Sequence, residues 1–361
     1  MANTYADNSC HVDTALVFLE TCFLEAVRVR GVETALPMRD SYTIRAHGSD
    51  GGGNPAHGPG EVDVDIGTAV ADWWRARHAL RCLRPGCVTE TASTLVAQLD
   101  EARGRVRREL ALASLSSNLL KEADDHVARY MVATGNAPSN VGRMLQDTPM
   151  ETTHLVKLGR VQTCGVCHSV RCNVLPRRRT VPVATPAMLT VTPNSLQQVG
   201  GSVTQVVAAK LTDSGFQEVA CVECLSEGER ERGYTVPGWA EAVVAGQLPG
   251  IDLVAWGSAA DTPPLLLLEL PELLIEDLRL DESMGVQLPR VDGHSLQVDY
   301  HLAAVIFHTG HHYVCDARGA DAQWRRYDDL ERGGATQCAR PTGNGRWRYM
   351  RCFPVLALYA R

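Results

Sequence analysis

Apolar residues after Cys10 recur at helical spacing. Val12, Ala15, Leu16, Leu19, Cys22, Phe23 and Ala26 predict a helix that starts at or just after Cys10. Residues 64 to 135 are dominated by helix formers. Leu110-Ala111-Leu112 and Leu119-Leu120 punctuate charged stretches there, and Val127, Tyr130 and Met131 carry the apolar stripe onward, which predicts a helical subdomain. Between these segments, His47 to Gly60 is rich in Gly, Pro and Asp and reads as a mobile loop. From about Val161 the pattern changes: Thr180-Val181-Pro182-Val183 and Leu189-Thr190-Val191 are β-like, and Ser202 to Lys210 reads as a short helix. The last third carries apolar strands at Leu265–Leu268, Tyr300–Phe307, His312–Cys315 and Pro354–Tyr359. Helices at the front and antiparallel sheet at the back predict an α+β fold without internal repeats.

The chain has 361 residues, enough for one large domain or two ordinary ones. Its 45% hydrophobic and 21% charged content is that of a globular protein. A net charge of −7 argues against nucleic acid and leaves basic protein partners open. The run Arg177-Arg178-Arg179 is local and reads as a solvated loop. Met1 to Ser9 lacks the basic and apolar regions of a secretory signal. The longest apolar run, Leu265 to Ile275, is broken by Glu269, Pro271 and Glu272 and falls far short of the ~20 residues that span a bilayer. These features predict a chain with no membrane association, and reduced cysteines with metal in place of a disulfide framework.

Four of the twelve cysteines fall in two pairs, Cys164-Gly165-Val166-Cys167 and Cys221-Val222-Glu223-Cys224, with 53 residues between them. Two such knuckles supply four thiolates, the donor set of a tetrahedral structural zinc site, with a β insert filling the gap. Cys164 to His168 also fits the haem-attachment pattern, but no haem pocket or export signal accompanies it. A redox role for the pairs is the other alternative.

Three further residues carry nucleophilic chemistry. Cys10 sits where a helix begins, and a helix N-terminus stabilises a thiolate, as does a neighbouring His⁺. Cys22, Cys82, Cys87, Cys172, Cys315, Cys338 and Cys352 have no such setting and read as structural. His312 opens the strand-like run Tyr313-Val314-Cys315 and is the candidate base, with His308 and His311 as competitors; a histidine-rich turn could instead hold a metal. Trp324-Arg325-Arg326-Tyr327-Asp328-Asp329 places a carboxylate, Asp328, on a segment anchored by two aromatics, where it could fix the tautomer of the imidazole.

In this combination the chain resembles the ubiquitin-specific proteases, a papain-like deubiquitinase family. Asn8-Ser9-Cys10-His11-Val12-Asp13-Thr14-Ala15-Leu16 is similar to the family's Cys box. Tyr300 to Tyr313 with Trp324 to Asp329 is similar to its His box, and the cysteine pairs fall where its zinc-binding fingers lie. Glu122 to Val127 is faintly like the helix that precedes the fingers, and Val355-Leu356-Ala357-Leu358-Tyr359 is like the closing strand. The resemblance covers nearly the whole chain. It implies a hand-like fold: a helical thumb over 1–160, zinc-binding fingers over 161–260 and a palm sheet over 261–361. It implies that Cys10 attacks the carbonyl after the terminal Gly-Gly of ubiquitin, that His312 is the base, that Asp328 orients it, and that Asp329 assists.

The oxyanion hole would use the Cys10 backbone N–H and a side-chain donor. The family's Asn five residues before the cysteine is here Tyr5, so Asn8 is the available amide. Asp13 stands three after the cysteine in place of Asn, and His311 replaces the usual Gly before the base. These departures bring the chain nearer the cylindromatosis-type and SUMO-directed branches. Asp124 and Asp125 are the expected partners of the arginine in ubiquitin's tail, with a solvated helix face as the plainer reading. The expected protein is a monomer of the cytoplasm or nucleus that carries structural Zn²⁺. It would act on ubiquitin or a ubiquitin-like conjugate and bind neither nucleic acid nor membrane. The alternatives are a SUMO-type isopeptidase of the same fold, a catalytically dead ubiquitin-binding module, and a zinc-ribbon interaction protein.

Overall fold

The structure, a computed structural model, describes residues 10–30, 42–45, 61–83, 89–114, 125, 127, 136–145, 154–163, 170–173, 189–212, 250–256, 262–270, 280–289, 295–308, 312–319, 321–328, 336–337 and 353–361. The helices are α1 (Cys10–Arg30), α2 (Ile66–Cys82), α3 (Thr89–Ala113), α4 (Ala137–Leu145), α5 (Pro193–Gln198) and α6 (Val203–Thr212). Strands β1 (Tyr42–Arg45) and β2 (Glu61–Val64) pair with each other. Strands β3 (Lys157–Thr163), β4 (Val170–Asn173) and β6 (Gly250–Trp256) form a second small sheet with β3 in the middle, and β5 (Leu189–Thr190) lies between β4 and β6 in sequence. The remaining strands are β7 (Leu265–Glu269), β8 (Ser283–Pro289), β9 (Ser295–His308), β10 (Tyr313–Arg318), β11 (Trp324–Tyr327), β12 (Thr336–Gln337) and β13 (Phe353–Ala360).

Four leucines in a row offer water no polar face, so β7 must be covered on both sides. Leu265 and Leu267 enter one buried cluster, and Leu266 and Leu268 enter the other. The same division runs through β13, where Val355, Leu356 and Leu358 face one core and Ala357 and Tyr359 the other. These strands belong to the large sheet, of order β12-β11-β10-β9-β13-β7-β5, with β8 also pairing β9. Its pairs are antiparallel except β5 with β7. Pro354 has no N–H to donate. It lies two residues before the first β13 residue paired with β7, beside a register shift against β9.

The apolar stripe expected after Cys10 is the inner face of α1: Val12, Ala15, Leu16, Leu19, Cys22, Phe23 and Ala26 are all buried. It packs with Ile306 of β9, Tyr313 and Cys315 of β10, and Val141 and Leu145 of α4. Burial pushes the Cys22 thiol far up, so Cys22 stays protonated and serves as packing. On the opposite face of the sheet, Val203, Val206, Val207 and Leu211 of α6 cover Met284 and Val286 of β8. The short helix expected over 202–210 is thus α6, and the strands expected in the last third are β7, β9, β10 and β13. The β1–β2 hairpin was not anticipated. Its connection contains His47 to Gly60, which lies outside the described residues, as does Thr180–Val183. Among the described residues, no helix is long and apolar enough to cross a membrane.

Helix α1 carries two buried carboxylates, Asp13 and Glu20, seven residues apart and to one side of its apolar stripe. Asp13 meets Arg103 and Arg107 of α3, and Glu20 meets Arg77 and Arg81 of α2 at 3.0 and 2.9 Å. In each case the two arginines are four apart, one helical turn, so both guanidinium groups reach one carboxylate. The pairs tie α1 to the helical layer, while its apolar stripe ties it to the sheet.

Candidate active site

His312 immediately precedes β10, and Asp328 immediately follows β11. The two strands are antiparallel neighbours, with Cys315 opposite Tyr327 and Arg318 opposite Trp324. The start of one and the end of the other therefore lie at the same edge of the sheet. There His312 Nε2 is 2.7 Å from Asp328 Oδ1, and the side chains are only 14% and 17% exposed. This bond assigns the N–H to Nε2 when the ring is neutral. Nδ1 is then the nitrogen that can take a proton from a thiol.

The candidate nucleophile, Cys10, is the first residue of α1. Thr14 Oγ1 donates to the backbone carbonyl of Tyr313 at 3.1 Å, in the buried interface of helix and strand. Cys10 lies one turn, about 5–6 Å, before Thr14 on the same helix face. Tyr313 is the residue after His312. This single bond therefore fixes the first turn of α1 beside the start of β10. Cys10 is half-buried and packs against the core that contains Tyr313, Cys315 and, at its margin, Tyr327. As the first residue of α1, it lies among N–H groups that have no intrahelical acceptor. The structure thus brings His312 and Asp328 into contact, and it sets the first turn of α1, which Cys10 opens, beside the start of β10.

The competing His308 ends β9 and stacks on Tyr313 with ring centroids 4.5 Å apart, so its ring packs against the residue beside His312. His311, Asn8 and Asp329 lie outside the described residues, as do Asp124 and all four paired cysteines, Cys164, Cys167, Cys221 and Cys224. Asp125 is helical and exposed. Among the described residues, no cluster of His, Cys, Asp and Glu could hold a metal ion.

Sequence reading missed three contributors. Thr14 is the first. The second is Asn140, buried on α4, whose Nδ2 donates to the carbonyl of His11 at 3.5 Å and holds the backbone next to Cys10. The third is the cluster of Asp13 with Arg103 and Arg107. A signal existed for it: Arg103 and Arg107 interrupt the stripe Ala102, Val106 and Leu110, which is buried. Charges placed inside an apolar stripe need a buried partner. Burial opposes the charge of Arg103, but its bond to Asp13 and the nearby charge outweigh that, so its guanidinium holds its proton more tightly than usual.

No family model matches the chain. No curated protein sequence matches it either. Among solved structures, the chain is similar to the yeast SAGA DUBm at 11% identity and a TM-score of 0.43, over 100% of this chain and 67% of that one. It is similar to the Neurospora crassa Pan2 catalytic unit, a protease and nuclease domain, at 11% identity and a TM-score of 0.43, over 99% of this chain and 56% of that one. It is also similar to the Saccharomyces cerevisiae PAN2 pseudoubiquitin-hydrolase-RNase module, at 10% identity and a TM-score of 0.37, over 82% of this chain. The chain spans about half the length of the Pan2 chains it matches.

Proposed function

We propose that the protein is a thiol-dependent isopeptidase that hydrolyses the bond after the terminal Gly-Gly of ubiquitin or a ubiquitin-like protein. The observation that carries this reading is the 2.7 Å contact of His312 with Asp328, set one residue from the carbonyl that anchors the first turn of α1. A nucleophile, a base and an orienting acid brought together by three separate elements is the arrangement that thiol acyl transfer needs.

In this mechanism His312 takes the thiol proton, and Cys10 sulfur attacks the glycine carbonyl carbon. The resulting oxyanion is met by N–H donors at the start of α1, with Asn8 as the side-chain candidate. The C–N bond then breaks and His312 gives its proton to the leaving amine, which leaves a thioester on Cys10. Water, giving a proton to His312, attacks the thioester; the carboxylic acid departs and the thiol is restored. Asp328 holds the ring through Nε2 and steadies its positive charge at each stage. Asp329 is a second candidate carboxylate for that role, and Asp124 and Asp125 are the candidates to meet the arginine of the tail.

The test is covalent labelling with C-terminal electrophile probes built on ubiquitin and on SUMO. Wild type is expected to form an adduct with the ubiquitin probe, and Cys10→Ala none. Labelling by the SUMO probe alone would keep the chemistry and change the substrate. A folded protein that labels with neither would leave only ubiquitin binding.

The thumb, fingers and palm division belongs to the same proposal, as does structural zinc. The residues fit that metal in their chemistry, since four thiolates are its preferred structural set. Cys164 and Cys167 stand between β3 and β4 in sequence, and Cys221 and Cys224 precede β6, which pairs with β3. Metal analysis is expected to find one zinc per chain, lost in Cys164→Ser and in Cys221→Ser, with unfolding on chelation. Full cooperative folding of a chelator-treated, metal-free chain would remove the structural role.

A further inference from the structure

Asp13 stands three residues after Cys10 in the first turn of α1, so the two β-carbons are about 5–6 Å apart. A buried carboxylate there works against a thiolate at Cys10. It repels the second anion and draws on the same helix N-terminal potential. Asp13 is 3% exposed, so water does little to screen it. Two cations meet it instead. Arg103 reaches Asp13 with Nε on one oxygen and a second guanidinium nitrogen on the other, and Arg107 Nη2 reaches Oδ2 at 2.9 Å.

The surrounding carboxylates have partners of their own. On elements packed against α1, Glu20 is matched by Arg77 and Arg81, and Asp316 of β10 by Arg326. Asp328 is hydrogen-bonded to His312 Nε2, and Glu269 of β7 accepts from Thr190. His11 of α1 is buried, and His308 and Arg143 of α4 are half-buried. Asp100, which also acts on Arg103, is exposed and therefore screened.

We propose that Arg103 and Arg107 are positioning residues for the nucleophile: two positive charges hold Asp13 and leave the N-terminal potential of α1 to the Cys10 thiolate. The inference rests on the reading of Cys10 as a nucleophile.

The experiment is the rate of iodoacetamide alkylation at pH 7, read at the Cys10 peptide by mass spectrometry so that the exposed Cys82 does not contribute. At fixed pH that rate follows the thiolate population. Arg103→Gln and Arg107→Gln are expected to slow it about 10-fold, the effect of roughly one unit of charge perturbation. Arg107→Lys, which keeps the charge, is expected to stay near wild type. Asp13→Asn, which removes the competing anion, is expected to be as fast as wild type or faster. A merely structural clamp would slow Asp13→Asn just as it slows the arginine variants, and that result overturns the proposal. If the glutamine variants do not fold in a thermal melt, Asp13→Asn alone decides by the same criterion. Failure of wild type to label with either probe tells against the isopeptidase reading itself, whereas these rates bear on the arginines alone.

Discussion

Replacement of His312 by alanine is expected to lower kcat/KM on a fluorogenic ubiquitin C-terminal conjugate by about 10³-fold. A positioned general base contributes 10² to 10⁴ in rate, and here the same ring must also protonate the leaving amine. Asp328→Asn is expected to cost about 10²-fold. It leaves an amide at the 2.7 Å position but removes the charge that steadies the imidazolium. The double variant should be little worse than His312→Ala, because residues that act as one unit are not additive. His308→Ala separates the candidates. Its ring stacks on Tyr313, so its loss should disturb packing and change turnover only a few-fold. If His308→Ala were the severe variant and His312→Ala the mild one, the assignment of the base would be wrong.

The parts of this site that were legible in the sequence are those set by short-range pattern. The helix opening at Cys10 shows in the spacing of Val12 to Ala26. The strands on either side of His312 show in the apolar runs Tyr300–Phe307 and His312–Cys315, and the segment that carries Asp328 shows in its two aromatics, Trp324 and Tyr327. The apolar run at Leu265–Leu268 announced a strand, and β7 is that strand, with its residues divided between two cores. What sequence pattern could not give is pairing between distant segments. Asp13 and Arg103 are 90 residues apart, and nothing local in either helix names the other. An arginine on a helix reads by default as a solvated residue. Only its position inside a buried stripe distinguishes Arg103 and Arg107 from Arg105, which pairs with Asp72 at the surface. Thr14 and Asn140 are hidden for the same reason: each acts by one hydrogen bond to the backbone of a remote segment.

The contact between His312 and Asp328 depends on the β10–β11 register, and one buried ion pair guards that register. Arg326 sits opposite Asp316, donating from Nε to Oδ1 and from Nη2 to Oδ2, both at 2.8 Å. Asp316 is fully buried, and the Arg326 side chain is 9% exposed. Attraction in such a pair is offset by desolvation, so the intact pair adds little net stability. Breaking it is another matter. Arg326→Ala would leave the Asp316 carboxylate buried without its counterion, and is expected to destabilise the protein by about 3–5 kcal/mol. Replacing both partners with apolar residues, Asp316→Leu with Arg326→Met, should recover most of that loss, because no charge remains stranded. Urea unfolding midpoints of the three proteins measure this directly. The double variant carries a further consequence for the site. Without a bidentate pair specific to one alignment, β11 can slip against β10, and a one-residue slip would carry Asp328 away from His312. The double variant should therefore be nearly as stable as wild type yet turn over substrate more slowly. An Arg326→Ala protein with an unchanged midpoint would refute the account of the pair. A double variant with full activity would show that strand packing alone keeps the register.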